Sequence, residues 1–358
     1  MAESDTAYVL VPASEAQQLE ADKYTYSSWG APLLTLDEYL DREHALCASA
    51  FAKESLTGYV LVPATTPSTV DILCYVEVFK RPVWYNGARL YGYSVGSVYT
   101  PEQHRKKGYA SIMLRLVLAY MRADQQQHQP DNASSVNLVI SNLYSDIGPS
   151  FYASKGWAVH ASEQLVLPST HAMLSTSRPP SVTAVDSLDV LAQVCQADVT
   201  RMQQLTCSSA VYFELTPSVV LWFHARAAYY ARTKTSFPSP PTSHGVWLQT
   251  RPYGTCSADD AFILWTHDFK SNVLSILRCH AATAATFAVL MDAALVEARQ
   301  WHLASVVTWN PHPAWLDDQL LSSVETRTES LPSLLVSNGH DTVHHPVLWL
   351  ANDKYAWV

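Results

Sequence analysis

The sequence predicts an α/β protein of the α+β kind, with a mixed, twisted sheet and two parts, on three observations. β-prone runs outnumber helical segments early in the chain and alternate with them later. The 358 residues exceed what one compact core usually needs, and at 48% hydrophobic they can fill two. Between the parts, "STSRPPSVTAVDS" (175–187) lacks bulky apolar side chains and carries a Pro-Pro pair, the composition of a linker. The expected units are 1–174 and 188–358.

In chain order, Tyr8–Val11 reads as a strand, 36–50 as helical, and Gly58–Val62 and Asp71–Phe79 as strands. Asn86-Gly87, set between β-prone runs, predicts a hairpin turn into a strand over Leu90–Tyr99. A basic loop and a helix to about Arg122 follow, then the polar insertion "DQQQHQPDNASS", a strand over Val136–Ser141 and a short helix over Pro149–Ser154. Beyond the linker come helices at 188–205 and 218–232 and the Pro/Ser loop "TSFPSPPTSHG". Strands at Val246–Thr250, Ala261–Asp268 and Asn272–Arg278, a helix over Ala281–Arg299 and a strand at Ser305–Trp309 complete the chain as read. This order repeats the first half without a basic glycine loop, which predicts a degenerate second copy.

A formal charge of -9 and a pI near 5.8 argue against a general partner among nucleic acids or anionic membranes. No basic, apolar leader opens the chain and no apolar run reaches membrane-spanning length, so a soluble cytoplasmic protein is expected. The six cysteines form no CxxC pair, and His340, His344 and His345 share a loop without Cys or Glu, so no metal site and no disulfide framework is expected. Asn132-Ala133-Ser134 reads as a chance sequon.

The chemistry begins at "TPEQHRKKGYASIML" (100–114), where Arg105, Lys106 and Lys107 form the only run of three basic residues. A strand, a basic turn with Gly108 and a helix N-terminus together make an anion cradle: backbone N–H groups converge, and glycine admits a phosphate closely. Neither GxxxxGK[ST] nor GxGxxG is present, so a pyrophosphate gripped by another motif is left.

"SVYTPEQHRKKGYASIML" resembles motif A of the GCN5-related N-acetyltransferases (GNAT), whose R/Q-x-x-G-x-G/A holds the pyrophosphate of acetyl-CoA. "LYSDIGPSFYASKGW", following the strand "VNLVIS", resembles the same family's helix carrying F-Y-x-x-x-G-F/W. With "SSWGAPLLTLDEYLDRE" and "CYVEVFKRP", the likeness narrows to the fungal lysine N6-acetyltransferase branch, over most of residues 8–165. The resemblance implies a GNAT fold with a GNAT-like C-terminal half covering the acceptor side. It implies acetyl-CoA as cosubstrate and a small-molecule amine, the ε-amine of free L-lysine, as acceptor, in lysine breakdown. It also implies that Arg105, Lys106, Lys107, Gly108, Tyr109 and Ala110 hold the pyrophosphate, and that Ser97, Val98 and Tyr99 form a splayed edge for the pantetheine and the oxyanion. Ser145 stands near the cofactor where many relatives have Asn, and Ala110 where many have Gly.

Acetyl transfer needs an acid and a base. The resemblance places Tyr152 at the leaving sulfur; the other role open to it is packing of its helix. Glu77, on the strand face opposite Cys74, Val76 and Val78, is the candidate base, with a solvated strand carboxylate as the alternative. Asp146 stands as a second candidate near the substrate or as a helix cap. Arg81, Lys80 or Arg89 could hold a substrate carboxylate or belong to a solvated loop. Trp29 could wall the acceptor or pack in the core. Two other functions remain open: a CoA-binding sensor without catalysis, and an α/β-hydrolase using Ser94 of "GYSVG", although β-prone residues follow that serine where an elbow requires a helix.

Overall fold

The computed structural model describes residues 7–128, 138–173, 182–205, 209–249, 260–338, 341–342 and 347–358. The chain opens with strand β1 (Tyr8–Pro12) and helix α1 (Glu15–Trp29), whose first turn is closed by a reciprocal Ser14–Gln17 capping box. Helix α2 (Leu36–Cys47) begins with the same device from Thr35 and Glu38, and α3 (Ala50–Ser55) leads into β2 (Leu56–Pro63). Strands β3 (Cys74–Tyr85) and β4 (Ala88–Tyr99) form the expected hairpin, with φ of 51° at Asn86 and 76° at Gly87. Helix α4 (Tyr109–His128), β5 (Leu138–Ser145), α5 (Ser150–Ala153), β6 (Ala158–Val159) and β7 (Glu163–Pro168) follow.

After β8 (Thr183–Ala184) come α6 (Leu188–Leu205), β9 (Ala210–Phe213), α7 (Pro217–Lys234), β10 (Gly245–Leu248), β11 (Ala261–Asp268), β12 (Val273–His280), α8 (Ala284–Gln300) and β13 (Ser305–Trp309). The chain closes with α9 (Asp318–Leu321), β14 (Val324–Thr326), β15 (Leu331–Asn338), β16 (Asp341–Thr342) and β17 (Leu348–Trp349). The fold is mixed α/β.

The first sheet runs β1-β2-β3-β4-β5-β15-β16, with β9 on the far half of β3, and is antiparallel along that path except at β4–β5. The second runs β14-β7-β13-β12-β11-β10-β8, with β12–β13 its parallel pair. The unit β11-β12-α8-β13 thus repeats β3-β4-α4-β5. The sheets, however, are not divided at 175–187, of which 175–181 lie outside the described residues. Strand β7, from before that stretch, completes the second sheet, whereas β9, β15 and β17, from after it, belong to the first.

One apolar cluster, including Phe79, Phe213, Trp222, Trp247 and Leu264, spans both sheets. Across it runs a buried polar lock: Asp198 of α6 accepts from Arg278 of β12 (2.9 Å), from Arg201 and from the Tyr212 hydroxyl (3.0 Å). Arg278 also reaches Asp353 (2.8 Å), tying the C-terminal segment to the second sheet. Among the described residues no helix is long and apolar enough to cross a membrane.

Candidate active site

Strands β4 and β5 pair only from Tyr93↔Ser141 to Val95↔Leu143, after which they part. β5 stays paired on its other side, to β15 as far as Ser145↔Leu331, so the opening lies between β4 and β5 alone. β4 is bent there by a bulge: Glu77 pairs with Gly96 but Tyr75 with Tyr99, and Ser97 takes φ +51°. Its backbone groups beyond Val95 therefore have no β5 partner on that edge.

The basic loop follows at once. Lys106 takes φ +61° and Gly108 φ +83°, and the Ser111 and Ile112 N–H groups return to the Gly108 carbonyl as α4 starts. A Cβ on Gly108 would meet nothing within 4 Å, so the turn is open there, just before the first-turn N–H groups of α4 that no intrahelical carbonyl pairs. Arg105 folds back over Tyr99, donating to the Thr100 carbonyl (3.1 Å) and the Tyr99 hydroxyl (3.2 Å).

On the opposite face of the sheet lies a cavity of about 140 Å³, close to the 150 Å³ or so that encloses benzene. α1 and α2 supply Asp22, Trp29, Arg42 and Glu43, β3 and β4 supply Glu77 and Ser97, and the second part of the chain supplies Trp222, Arg226, Lys270 and Trp357. Gly96 lets the Val358 carbonyl approach, since a Cβ there would lie 3.2 Å from it. Glu77 accepts from the Ser97 hydroxyl (2.7 Å) and the Tyr75 hydroxyl (3.1 Å). Burial, reinforced by the charge of Glu43, raises its pKa to about 7 despite those bonds. Asp22 is likewise raised to about 6, mainly by burial.

Tyr152, on α5, packs against the α4 face of the sheet. Burial, then the neighbouring Cys74 and Asp146, push its phenol above the ordinary value, so it stays protonated through neutral pH. Its hydroxyl makes no hydrogen bond with the described residues.

Residues 164–358, more than half of the chain, match the family described as the LYC1 GNAT-like C-terminal domain. The chain belongs to this GNAT family. That match begins at β7, where the second sheet also begins along the chain. A protein of Yarrowia lipolytica named lysine acetyltransferase is 24% identical over 312 residues, spanning 76% of this chain and 75% of its own. A GCN5-related N-acetyltransferase from Kribbella flavida superposes with a TM-score of 0.53 at 15% identity, over 92% of this chain and 71% of its own. Saccharomyces cerevisiae N-myristoyltransferase with bound myristoyl-CoA superposes at 0.52 and 8% identity, over 93% and 79%.

In this GNAT acetyltransferase the expected residues fall into three groups. Glu77, Ser97, Trp29 and Asp146 meet at the cavity. Asp146 also accepts from the Ser330 N–H (2.7 Å), bracing the start of β15. Lys106, Lys107, Gly108, Tyr109 and Ala110 lie at the α4 entrance; Val98 packs beneath α4 with Tyr109 and Ala110.

Others depart from expectation. Ser145 donates to the Gly148 carbonyl (2.8 Å) and accepts from the Ile147 N–H (3.3 Å), so its hydroxyl shapes the β5–α5 turn. Arg81 does not line the cavity: 1% exposed, it donates to the carbonyls of Ala356 (3.2 Å) and Tyr355 (3.4 Å) between the rings of Phe51 and Phe213. The segment that covers it arrives from the far end of the chain. Arg89 and Lys80 are ion-paired to Glu214 (2.8 Å) and Asp124 (2.6 Å). Ser94, fully buried in mid-strand, donates to Asn142 (2.6 Å), which removes it as a nucleophile. The three C-terminal histidines lie outside the described residues. Among those described, no cluster of His, Cys, Asp or Glu is arranged to hold a metal.

Proposed function

We propose that this acetyltransferase moves the acetyl group of acetyl-CoA to the ε-amine of free L-lysine, by direct attack, as a step into lysine breakdown. The observation that carries acetyl transfer is the meeting of a half-buried, weakly acidic Glu77 with the point where β4 leaves β5. The open turn at Gly108 and the first N–H groups of α4 suit the pyrophosphate, and the unpaired β4 edge suits the pantetheine and the developing charge on the thioester oxygen.

The acceptor must arrive neutral. A lysine ammonium has a reference pKa of about 10.4, roughly three units above Glu77. Burial in the cavity opposes a charged amine, as it lowers the ammonium of Lys270 on the cavity wall, where Arg226 and Arg42 add to the effect. Glu77 takes one proton from the ammonium, the amine nitrogen bonds to the acetyl carbon as the carbon–sulfur bond breaks, Tyr152 gives its proton to the leaving sulfur, and the second proton shed by the new amide nitrogen restores the phenol. Lysine as the acceptor draws support from the name of the Yarrowia relative and from a cavity sized for one small molecule.

A thiol-release assay with purified protein, acetyl-CoA and a panel of amino acids, polyamines and lysine-containing peptides tests this. Release stimulated most by L-lysine is expected. Equal silence with every amine, in a chain that binds acetyl-CoA, would favour a CoA-binding sensor.

A further inference from the structure

The walls of the acceptor cavity differ in charge. Asp22, Glu43 and Glu77 belong to the first sheet and the helices on it, whereas Arg226 and Lys270 come from α7 and the β11–β12 turn. Arg42, on the acidic side, is already committed: it donates to Glu43 and to the Tyr230 hydroxyl (2.7 Å), and its guanidinium lies 4.5 Å from the Tyr39 ring centroid.

Arg226 has no such partner. Its guanidinium sits 5.3 Å from the Trp357 ring centroid, and among the described residues no carboxylate lies within ion-pair distance. Lys270 donates to the Trp29 carbonyl (3.2 Å) and also lacks a carboxylate at that range. A guanidinium braced on an indole face keeps its planar fork of donors free for a carboxylate, and bracing reduces the entropy lost on binding one. A small cavity with acids on one side and, on the other, cations that no described carboxylate approaches to ion-pair distance matches a molecule with an amine at one end and a carboxylate at the other.

We propose that Arg226, assisted by Lys270, binds the α-carboxylate of the acceptor, which makes the substrate a free amino acid and excludes polyamines and lysine side chains within a protein. This rests on the acetyl-transfer reading above. It also gives the second part of the chain a role in catalysis: it brings the groups that select the acceptor, while the first part brings base and cofactor loop.

The test compares L-lysine with 1,5-diaminopentane, the same diamine without the carboxylate, in steady-state acetylation by the full chain. The parent is expected to prefer lysine. Arg226→Met should lower kcat/KM for lysine about 10- to 100-fold, chiefly through KM, the range of one lost hydrogen bond between charged groups, and collapse the ratio between the two amines. Arg226→Lys should recover part of the ratio, which a merely structural arginine would not do; it also serves if the Met variant no longer binds acetyl-CoA and has misfolded. An unchanged ratio in Arg226→Met, or in Arg226→Lys where Met misfolds, overturns the assignment. A parent chain that binds acetyl-CoA but acetylates neither amine refutes lysine as the acceptor, and the carboxylate site falls with it.

Discussion

Replacing Glu77 by Gln should make the protein a poorer catalyst and a more stable fold. In the folded chain the carboxyl titrates at about 7 rather than 4.5, because burial and then Glu43 disfavour its charge. Moving the carboxyl from 4.5 to about 7 corresponds to about 3 kcal/mol. The sign follows from the direction of the shift: below pH 4.5 both states are protonated and nothing is lost, whereas stability declines as pH rises from there to about 7 and stays lower above it. Glutamine never charges, and it can keep the contacts with Ser97 and Tyr75. Denaturant unfolding should therefore show Glu77→Gln more stable than the parent by about 2 to 3 kcal/mol at pH 8 and nearly equal to it at pH 4.5. Activity moves the other way. The parent's kcat/KM should fall about tenfold per pH unit below 7, and Gln should lose both that limb and roughly 10²-fold or more in kcat. A variant retaining the parent's acidic limb would dismiss Glu77 as the base. One no more stable than the parent at pH 8 would show that its charge is not strained by burial.

Tyr152→Phe removes a hydroxyl with no hydrogen-bond partner among the described residues, so unfolding free energy should change by less than about 1 kcal/mol while kcat drops roughly 10²-fold and acetyl-CoA affinity holds; the parent's kcat across neutral pH would remove Tyr152 from the mechanism. Gly108→Val forces a β-branched residue to φ +83° and puts its side chain where the turn is open, so calorimetry should show acetyl-CoA binding weakened at least about tenfold. Undiminished affinity would return the loop to a solvated turn. Asp198→Asn leaves Arg201 without an acidic partner among the described residues and Arg278 with Asp353 alone, and should cost about 3 to 5 kcal/mol in urea unfolding; a loss under about 1 kcal/mol would mean that Asp353 suffices for Arg278. Burial opposes the Asp198 charge but the two guanidiniums hold its pKa below the ordinary value, so this contribution is present at neutral pH and lost as pH falls below about 4.

What could be read beforehand was local. Alternation along Cys74–Phe79 put Glu77 on the face away from Val76 and Val78, and the hairpin at Asn86-Gly87 and the helix after Gly108 follow from short-range rules. Helix α1 escaped notice because the side chains it buries are Gln17, Ala21 and Thr25, which give no apolar stripe. Arg81 fits neither of the roles open to it, a carboxylate holder or part of a solvated loop, because the Tyr355–Ala356 backbone lies over it, some 270 residues away in sequence. Arg226 and Lys270 were hidden for a related reason, since a lone basic residue on a helix or in a turn reads as a surface charge until the other part of the chain is placed against it. Strands β7 and β15 carry no mark of which sheet they join.

The placement of β15 between β5 and β16 bears on how the chain is made. When Ser145 leaves the ribosome, β5 has β4 beside it and, on its other side, a row of unpaired N–H and C=O groups, the kind of edge that recruits stray strands. Its partner, Leu331–Asn338, is synthesised about 190 residues later, on the order of 10 to 40 s at typical elongation rates. The first sheet therefore keeps an open edge beside β5 until nearly the whole chain has been made.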